Sequence, residues 1–454
     1  MKNNSFIFAC LTFSLTISVH YITAQPKDHV NPESVIQAID QGIAYFYSIN
    51  TYGGYVYDVT TDLQERWGEN RVDEHTIEVQ PPGTPAVGMT FLRGYGVTGN
   101  SKHLQAAKDA AFALIRGQND WGGWEHTINF KHPQTRRVSF DDDQTQSAIR
   151  FLMALDQHVD DDSLTTAINK ALQMMLDSQL ENGGWPHKYP VQGNYHDYAT
   201  FNDHGINDCI RTMIDAVRYY DKEEYRESLK KAGRFMMISQ LPPPQSGWAQ
   251  QYNAYLQPAW ARDFEPPAVC PAVTVNNLFT LMDLYAFTNN SLYLKPIPDA
   301  IRWLDEIRLP NGKWARFVAI GTGEALYFDR GRIRVNSTDE LHIERRTGYG
   351  YESNLAVRLQ QAKDRFSAIR NKSTTTKPEV SREHQLQKLI SEVKVILAAQ
   401  DEHGRWVTKN DRFKKYVPGV RWNGEYRVAD RIKSSVFNRN INALCAYLEL
   451  TKER

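Results

Sequence analysis

The stretch Gln118-Asn119-Asp120-Trp121-Gly122-Gly123-Trp124 decides the fold, because variants of it return four more times along the chain. Each variant sets an amide side chain a few residues ahead of a glycine and a tryptophan. A pattern that recurs in this way indicates a repeat architecture. The other copies lie at 179–185, 240–248, 311–314 and 400–406.

The first four tryptophans that end this pattern are 61, 63 and 66 residues apart. Between them, apolar residues recur at helical spacing in two successive segments, as in 149–155 followed by 164–175. One helical hairpin and one loop fill such a period. Hairpins repeated at this length and closed on themselves predict an all-α fold, an α/α toroid with irregular loops and short strands at one rim.

The glycine and the tryptophan of each copy have a structural interpretation. Glycine turns the chain after the second helix of a hairpin, and the indole fills the junction with the next hairpin. We therefore interpret the tryptophans chiefly as structural wedges.

The segment between each tryptophan and the next helix is expected to emerge on the same rim of the toroid. Carboxylates come from the first two of these segments, and arginines come from the last two. The periodicity therefore predicts one site of mixed charge at the mouth of the ring, where ligand pockets usually lie. The segments are 139–145, 199–204, 258–265 and 315–331.

The N-terminus has the features of a secretory signal, with a basic start, an apolar run over 6–19 and small residues before Gln25. The apolar run is shorter than the roughly 20 residues that a membrane span requires. We predict that residues 1–24 are a cleaved signal peptide and that the mature protein is periplasmic or extracellular. A lipoprotein signal at Cys10 is the alternative.

Charge and cysteine usage exclude several classes of function. Lysine plus arginine equals aspartate plus glutamate at 53 each, so no overall charge steers the protein toward nucleic acid. The predicted mature chain keeps Cys209, Cys270 and Cys445, an odd number without metal-binding spacing, so no disulfide framework is expected. No Walker loop, Rossmann fingerprint or nucleophile elbow is present, which excludes phosphoryl and hydride transfer.

A polar linker of low structural propensity at 370–380 separates the repeats from the last part of the chain. We predict a toroid over 25–370 and a C-terminal helical segment over 371–454. The C-terminal segment contains a helix pair around Trp406 and either closes the ring or packs against it. The sequence leaves both alternatives open.

Two acidic clusters precede predicted helices, one at Asp141, Asp142 and Asp143 and the other at Asn202 and Asp203. Aspartate and asparagine commonly cap helices at such positions, which is the simpler interpretation of each residue taken alone. Three consecutive aspartates exceed what one cap requires. Two acidic clusters one period apart on one rim can supply hard oxygen ligands for a divalent cation such as calcium.

Three arginines lie on the other predicted rim segments. Arg262, Arg316 and Arg330 would be surface arginines in most sequences. Arg262 lies among aromatic and apolar residues, however, and Arg316 follows a tryptophan and an alanine. Arginines held among aromatic rings suit planar recognition of carboxylates. The histidines at 187–204 lack the i, i+4 spacing of a zinc site, so most are assigned to surface or packing roles.

The stretches above resemble the motifs of pectate lyases of polysaccharide lyase family 10, in the family's order and over roughly residues 30 to 370. The resemblance implies a secreted enzyme on an α/α toroid that cleaves α-1,4-linked polygalacturonate by calcium-assisted β-elimination. The resembling stretches are 141–145 ahead of 149–152, 182–186 with 189–190, 200–203, 248–252 with 258–262, and 314–316 through 330–331.

The resemblance also implies roles for single residues. Asp141 and Asp203 are expected to contact a Ca²⁺ ion or the substrate that it bridges. Arg262 is expected to be the base that removes the C5 proton, while Arg316 and Arg330 hold substrate carboxylates. The ligand is expected to be polygalacturonate or an oligogalacturonide, bound by a monomer with no nucleic acid and no membrane span. The other residues that we assign to substrate binding are Asp142, Asn202, Trp185 and Lys188.

Three other hypotheses stay open from the sequence. A glycoside hydrolase on the same toroid would use Asp141 and Asp203 as acid and base. A terpene cyclase or prenyltransferase also combines helical repeats with aspartate clusters, although the secretion signal and the arginines argue against it. A binding protein that has lost catalysis would hold oligogalacturonide without turnover.

Overall fold

The computed structural model describes residues 30–371, 382–415 and 424–452. The predicted signal peptide, Cys10 and all but the first two residues of the predicted linker lie outside these residues. Within them, no helix combines the length and apolarity that crossing a membrane requires.

Helices dominate the described residues, and several begin at the capping residues that their sequences provide. Asn31, Asn100 and Asp161 accept hydrogen bonds from the first backbone amides of α1, α3 and α5. The α-helices are α1 Pro32–Ser48, α2 Thr84–Thr98, α3 Ser101–Arg116, α4 Gln144–Asp156, α5 Asp162–Asp177, α6 Gly205–Tyr220, α7 Glu223–Ile238, α8 Pro271–Thr288, α9 Ile297–Glu306, α10 Ile343–Gly348, α11 Ala356–Arg370, α12 Arg382–Ala399 and α13 Ser434–Lys452.

The helices form two concentric layers. The inner helices α13, α2, α4, α6, α8 and α11 pack side by side in that order, and the outer helices α1, α3, α5 and α7 lie against them. The inner helix α4 is buried around most of its circumference, whereas the outer helix α5 buries one stripe at helical spacing, from Leu164 to Met175. The predicted α/α toroid is confirmed.

The repeated pattern builds the junctions of this ring. The indole Nε1 of Trp185 donates 2.9 Å to the carbonyl of Met175 at the end of the preceding outer helix. Gly183 has a φ of +97°, and a Cβ there would lie 2.3 Å from the carbonyl oxygen of Lys231 on the next outer helix. Glycine is therefore required both by the turn and by the close packing. Corresponding indole bonds are made by Trp124, Trp248, Trp314 and Trp406.

In four of the five copies, a glutamine ties the loop to the next outer helix or to the residue just before it. Gln179 Nε2 donates to the carbonyl of Gly183 at 2.9 Å and to that of Ser228 in α7 at 3.0 Å. In the last copy, Gln400 Nε2 donates to the carbonyl of Ala38 in α1 at 2.9 Å. The C-terminal helix α13 then packs between α1 and α2. The division of the chain at residue 370 stays a prediction.

Short antiparallel strands join neighbouring loops along the rim. β6 pairs with β7, with Ser139 opposite Lys188, and β8 pairs with β9, with Thr200 opposite Gln251. These pairs fix each loop against the next. The strands are β1 Asp58–Thr60, β2 Arg66–Trp67, β3 Arg71–Val72, β4 Thr76–Glu78, β5 Thr127–Asn129, β6 Val138–Ser139, β7 Lys188–Tyr189, β8 Ala199–Thr200, β9 Gln251–Tyr252, β10 Trp314–Ala315, β11 Tyr327–Asp329, β12 Ile333–Val335, β13 Glu352–Ser353, β14 Val407–Lys414 and β15 Tyr426–Lys433.

One sheet departs from the sequence-based expectation. Strands β14, β15, β1, β2 and β3 form a five-stranded antiparallel sheet in that order. It joins the segment before α2 to the segment before α13. The sequence predicted only a helix pair around Trp406. Local pattern could not predict that β14 and β15 join β1, β2 and β3, because β1 and β15 lie more than 300 residues apart.

Replacing Gln179 by alanine tests the junction hydrogen bonds. Gln179→Ala leaves two carbonyls without their side-chain donor, so we expect a loss of about 1–3 kcal/mol in the free energy of unfolding. Chemical denaturation followed by circular dichroism measures the change. Gln173, which bonds only to Asp177 on the exposed face of α5, is the matched control. Gln173→Ala is expected to stay within about 0.5 kcal/mol of the wild type, and equal effects of the two changes would contradict the assignment.

Candidate active site

Two equivalent turns lead into the inner helices α4 and α6. The turn at 140–144 and the turn at 201–205 each form one 3₁₀ turn directly before the helix. The amide of Asp141 donates to Ser139 Oγ at 3.3 Å, and the amide of Asn202 donates to Thr200 Oγ1 at 3.0 Å. The repeat therefore builds the same backbone structure twice at the rim.

Both turns hold non-glycine residues in the left-handed region. Asp142 and Asp143 have φ values of +46° and +59°, while Asp203 and His204 have values of +43° and +66°. Such residues typically cost about 1–2 kcal/mol each, although aspartate tolerates the region better than most. Backbone strain repeated at two equivalent positions indicates that the resulting side-chain placement serves a function.

The turns bring three carboxylates together. One oxygen each from Asp141, Asp142 and Asp203 lies within 4.8 Å of the others. Burial and the neighbouring charge of Asp203 raise the pKa of Asp141 to about 6 and that of Asp142 to about 7. Asp141 Oδ1 is buried without a hydrogen-bond partner among the described residues. Converging hard oxygens with an unsatisfied buried acceptor fit a divalent cation such as calcium.

His187 connects three loops of the site. The amide of Phe140 donates to the His187 carbonyl at 2.9 Å, and the His187 amide donates to the carbonyl of His196 at 2.9 Å. Gln251 Nε2 donates to the carbonyl of Trp260 at 2.7 Å, so Gln251 presents its oxygen to the histidine. His187 Nε2 therefore donates to Gln251 Oε1 at 3.0 Å. Burial lowers the pKa of His187 to about 4, so the ring is neutral near pH 7. The histidine thus joins the Asp141 turn to the Arg262 loop.

Arg262 faces the acidic turns from the opposite loop. Its Nε and Nη2 donate to Glu265 at 2.8 and 2.6 Å, and Tyr349 donates its hydroxyl proton to the same carboxylate at 2.6 Å. The bidentate pair raises the pKa of Arg262 above its usual range and lowers that of Glu265 to about 2. The positive charge of Arg262 partly offsets the rise in the pKa of Asp141, so the two residues belong to one electrostatic site.

Arg316 lies beside this pair. Its guanidinium stacks 4.3 Å from the ring centre of Tyr349. Its Nε is buried without a hydrogen-bond partner among the described residues. Asn202, Asp203 and Gln250 line the same cavity as Arg316. The structure therefore brings a predicted carboxylate-binding arginine to the acidic turn, with one donor unused.

Arg330 and Arg345 extend the cationic surface. Both donate to Glu344, at 2.9 and 2.7 Å, and both stack on Phe264, with guanidinium-to-ring distances of 5.1 and 4.2 Å. Glu265 thus pairs with Arg262, and Glu344 pairs with both Arg330 and Arg345. Arg345 and Tyr349 were not predicted from the sequence, because both lie in the segment after Gly331, which contains no recognisable motif.

The remaining predicted site residues divide into two groups. Lys188 Nζ lies 3.5 Å from Glu125. The positive charge of Lys188 partly offsets the rise in the pKa of Asp141, so Lys188 borders the acidic cluster. Asn202 donates to Asp203 at 2.5 Å within the turn. Trp185 is 0% exposed and its indole is bonded to Met175, as in the other repeats. The structure does not support direct contact between Trp185 and a substrate, because the junction packing encloses the ring.

Comparison with known proteins agrees with this geometry. Residues 118–313 match the model of the pectic acid lyase family. This segment of the chain is therefore similar to pectic acid lyases. The predicted resemblance is confirmed, and the protein is a polysaccharide lyase. No curated protein sequence matches the chain.

Two solved structures illustrate the fold of this polysaccharide lyase. One is a mutant of a family 10 polysaccharide lyase from Cellvibrio cellulosa in complex with trigalacturonic acid, with a TM-score of 0.50 and 19% identity, covering 62% of this chain and 97% of that one. The other is a D-mannose isomerase, with a TM-score of 0.50 and 12% identity, covering 94% of this chain and 100% of that one. At these identities the likeness is one of fold alone.

The pKa values of the acidic cluster predict how cation binding depends on pH. Asp141 and Asp142 hold protons below about pH 6 to 7, and a cation must displace those protons. We expect calcium to bind at least tenfold more weakly at about pH 5 than at about pH 8. Thermal unfolding with and without calcium at both pH values measures this difference.

Asp142→Asn is expected to remove most of the stabilisation by calcium. The exposed Asp160, in the loop between α4 and α5, is the control, and Asp160→Asn is expected to leave the calcium effect unchanged. A calcium effect of equal size at both pH values, or one that survives Asp142→Asn, would argue against this cation site.

Proposed function

We propose that this protein is a secreted pectate lyase that cleaves α-1,4-linked polygalacturonate by calcium-assisted β-elimination, with Arg262 as the base. The observation that carries the proposal is that three carboxylates meet Arg262 and Arg316 at one rim, in a chain whose residues 118–313 match the pectic acid lyase family. The similar fold of a family 10 lyase in complex with trigalacturonic acid supports an oligogalacturonide as the ligand.

The charge pattern of the site suits a polyuronate, which carries one carboxylate on each sugar. Arg316 has a buried, unused Nε donor, and its ring contact with Tyr349 holds the guanidinium plane in place. Planar guanidinium groups bind carboxylates with two parallel hydrogen bonds. We assign Arg316 and Arg330 to substrate carboxylates and Lys188 to the neighbouring part of the chain.

The reaction needs charge stabilisation next to the proton that leaves. The C5 proton of a uronate is a weak acid, because its removal places negative charge beside a carboxylate that is already negative. Asp141, Asp142 and Asp203 would hold a calcium ion, and such an ion would supply positive charge to that carboxylate. Arg316 adds a hydrogen-bonded positive charge that strengthens as the enolate-like charge develops.

The hydrogen bonds of Arg262 support its proposed role as the base. Glu265 holds Nε and Nη2, while Nη1 has no hydrogen-bond partner among the described residues. Free arginine has a pKa above about 12, and the ion pair with Glu265 raises the pKa of Arg262 further. We therefore expect the rate to rise with pH through the alkaline range, as the neutral form becomes more populated.

The two rival functions use the same cleft differently. A uronic-acid polysaccharide hydrolase would need separated carboxylic acid and carboxylate groups on either side of the scissile bond. The three carboxylate oxygens instead converge on one point, which favours a shared cation. A polyuronate-binding protein without catalysis would keep the arginines and show no turnover.

We further propose that the protein acts outside the cytoplasm as a monomer, in the periplasm or the extracellular medium. The support is the basic start, apolar run and small residues over 1–24. N-terminal sequencing of the exported protein is expected to begin near Gln25.

The assay that tests the reaction is growth of ultraviolet absorbance on polygalacturonate, because elimination leaves an unsaturated sugar end and hydrolysis does not. We expect absorbance growth with calcium, none with chelator, and a loss on the order of 10²–10⁴-fold in kcat for Arg262→Ala. Arg302→Ala is the control, since Arg302 is an exposed arginine paired with Asp299 on α9. New reducing ends without absorbance would establish the hydrolase, and binding without turnover would establish the binding protein.

Arg316→Lys tests the carboxylate-binding role. Lysine keeps the charge but loses the planar fork and the stacking on Tyr349, so we expect KM to rise by about 10- to 100-fold. Initial rates over a range of polygalacturonate concentrations measure the change. An unchanged KM would remove Arg316 from the substrate-binding set.

A further inference from the structure

Glu265 is a buried carboxylate whose oxygens are both occupied by donors of the site. Its side chain is buried, with 2% of the residue exposed. A backbone turn brings Glu265 next to Arg262, because the Glu265 amide donates a hydrogen bond of 2.9 Å to the Arg262 carbonyl. Oε2 accepts from the Arg262 amide at 3.1 Å and from Nε at 2.8 Å. Oε1 accepts from Nη2 at 2.6 Å and from the hydroxyl of Tyr349 at 2.6 Å.

These contacts fix where protons can reside on the guanidinium. The N–H groups at Nε and Nη2 point at a carboxylate that can only accept, so Nε must keep its proton and Nη2 must keep the proton that points at Glu265. An amino nitrogen donates more strongly than an imino nitrogen, so the carboxylate also disfavours the tautomer whose lone pair is on Nη2. Nη1 has no such constraint from the described residues. We infer that Glu265 is a positioning residue that selects the tautomer of neutral Arg262 with its lone pair on Nη1, the nitrogen free to meet the substrate. The inference rests on the proposed β-elimination and adds the residue that orients the base.

The reaction balances around this tautomer. The C5–H bond breaks and its proton passes to the lone pair of Nη1. The electrons of that bond form the C4=C5 double bond, the C4–O4 bond breaks toward O4, and O4 takes a proton from water. Arg262 leaves the step as a cation and later returns the proton to solvent. Glu265 stays ionised throughout, as the buried carboxylate does that orients the histidine of a serine protease.

The charges around Arg262 agree with this role. Glu265 favours the protonated form most strongly, which makes neutral Arg262 scarce but also makes it a strong base once formed. Glu265 thereby stabilises the cation that proton transfer creates. The titratable or charged groups that act on Arg262 or respond to it are Glu265, Tyr349, Tyr195, Asp141, Asp142, His187 and Arg330.

Tyr349 couples the base to the carboxylate-binding part of the site. Its hydroxyl holds Oε1 of Glu265, while its ring lies 4.3 Å from the guanidinium of Arg316 and 5.7 Å from that of Arg262. One side chain therefore sets the spacing between the base and an arginine that we assign to the substrate. Tyr349→Phe keeps the ring and removes only the hydrogen bond to Glu265.

The test replaces Glu265 by glutamine, which keeps the shape but cannot accept at both positions. We expect kcat on polygalacturonate to fall on the order of 100-fold near neutral pH, with KM within about threefold, because Glu265 does not reach the substrate. We also expect the rise of kcat with pH to end at a lower pH, because the lost negative charge lowers the pKa of Arg262. Tyr349→Phe is expected to reduce kcat by about tenfold or less.

Glu449→Gln is the matched control. Glu449 accepts from Nε and Nη2 of Arg93 at 3.1 and 2.7 Å, the same two nitrogens, between α2 and α13. This variant is expected to leave kcat, KM and the pH profile unchanged. A structural effect alone would lower stability in both glutamine variants without moving the pH profile.

A second measurement does not depend on turnover. The ¹⁵N–¹H signal of Arg262 Nε, assigned by its loss in Arg262→Lys, is expected to exchange slowly with water in the wild type and quickly in Glu265→Gln. Fast exchange in the wild type, or wild-type kcat in Glu265→Gln, overturns the positioning role while the lyase assignment stands. Absence of unsaturated product from the wild type overturns the base itself, and the exchange rate then reports only on the ion pair.

Discussion

The hydrogen bond from each loop glutamine to the outer helix of the next hairpin is the interaction on which the structure depends. Gln118, Gln179, Gln240 and Gln400 each donate both to their own loop and to the following outer segment. Because the bond joins neighbours rather than members of one hairpin, it fixes the angle between repeats. The last bond reaches α1, so the same local interaction connects the two ends of the described chain.

This junction also determines where the chemistry lies. The indole hydrogen bond fixes each tryptophan against the preceding helix, and the segment that follows the tryptophan therefore lies at the rim. The turns at Asp141 and at Asn202 are therefore placed side by side, and β6–β7 and β8–β9 join them to the next loops. His187 then links the acidic side to the loop of Arg262 through Gln251. The helices and short strands hold the loops in position, and the loops carry the charged side chains of the site.

The site balances two opposite electrostatic costs. Three carboxylates held close together favour protonation or a cation, which the raised pKa values of Asp141 and Asp142 express. On the facing side, Arg262, Arg330 and Arg345 pair with Glu265 and Glu344, while Arg316 Nε and Arg345 Nε are buried without a partner among the described residues. A ligand that carries carboxylates, together with a divalent cation, relieves both costs at once. This complementarity is the physical argument for the proposed polyuronate ligand.

The sequence by itself determined the toroid, because one glutamine-to-tryptophan pattern at a period of about 60 residues has a single local solution that repeats. It also placed Asp141, Asp203, Arg262 and Arg316 at one rim, since equivalent positions of a repeat share one edge. Glu265 follows Arg262 by three residues in the sequence, but this spacing does not predict that its carboxylate pairs with the Arg262 guanidinium.

Only the tertiary structure decided the rest. Asp142 has a left-handed backbone and lies with Asp141 and Asp203 in the acidic cluster, and junction packing encloses Trp185. Tyr349 reaches Glu265 across 84 residues of sequence, and β1 pairs with β15 across the length of the chain. Local periodicity specifies contacts within and between neighbouring repeats, whereas contacts between distant irregular segments depend on where the closed ring brings them.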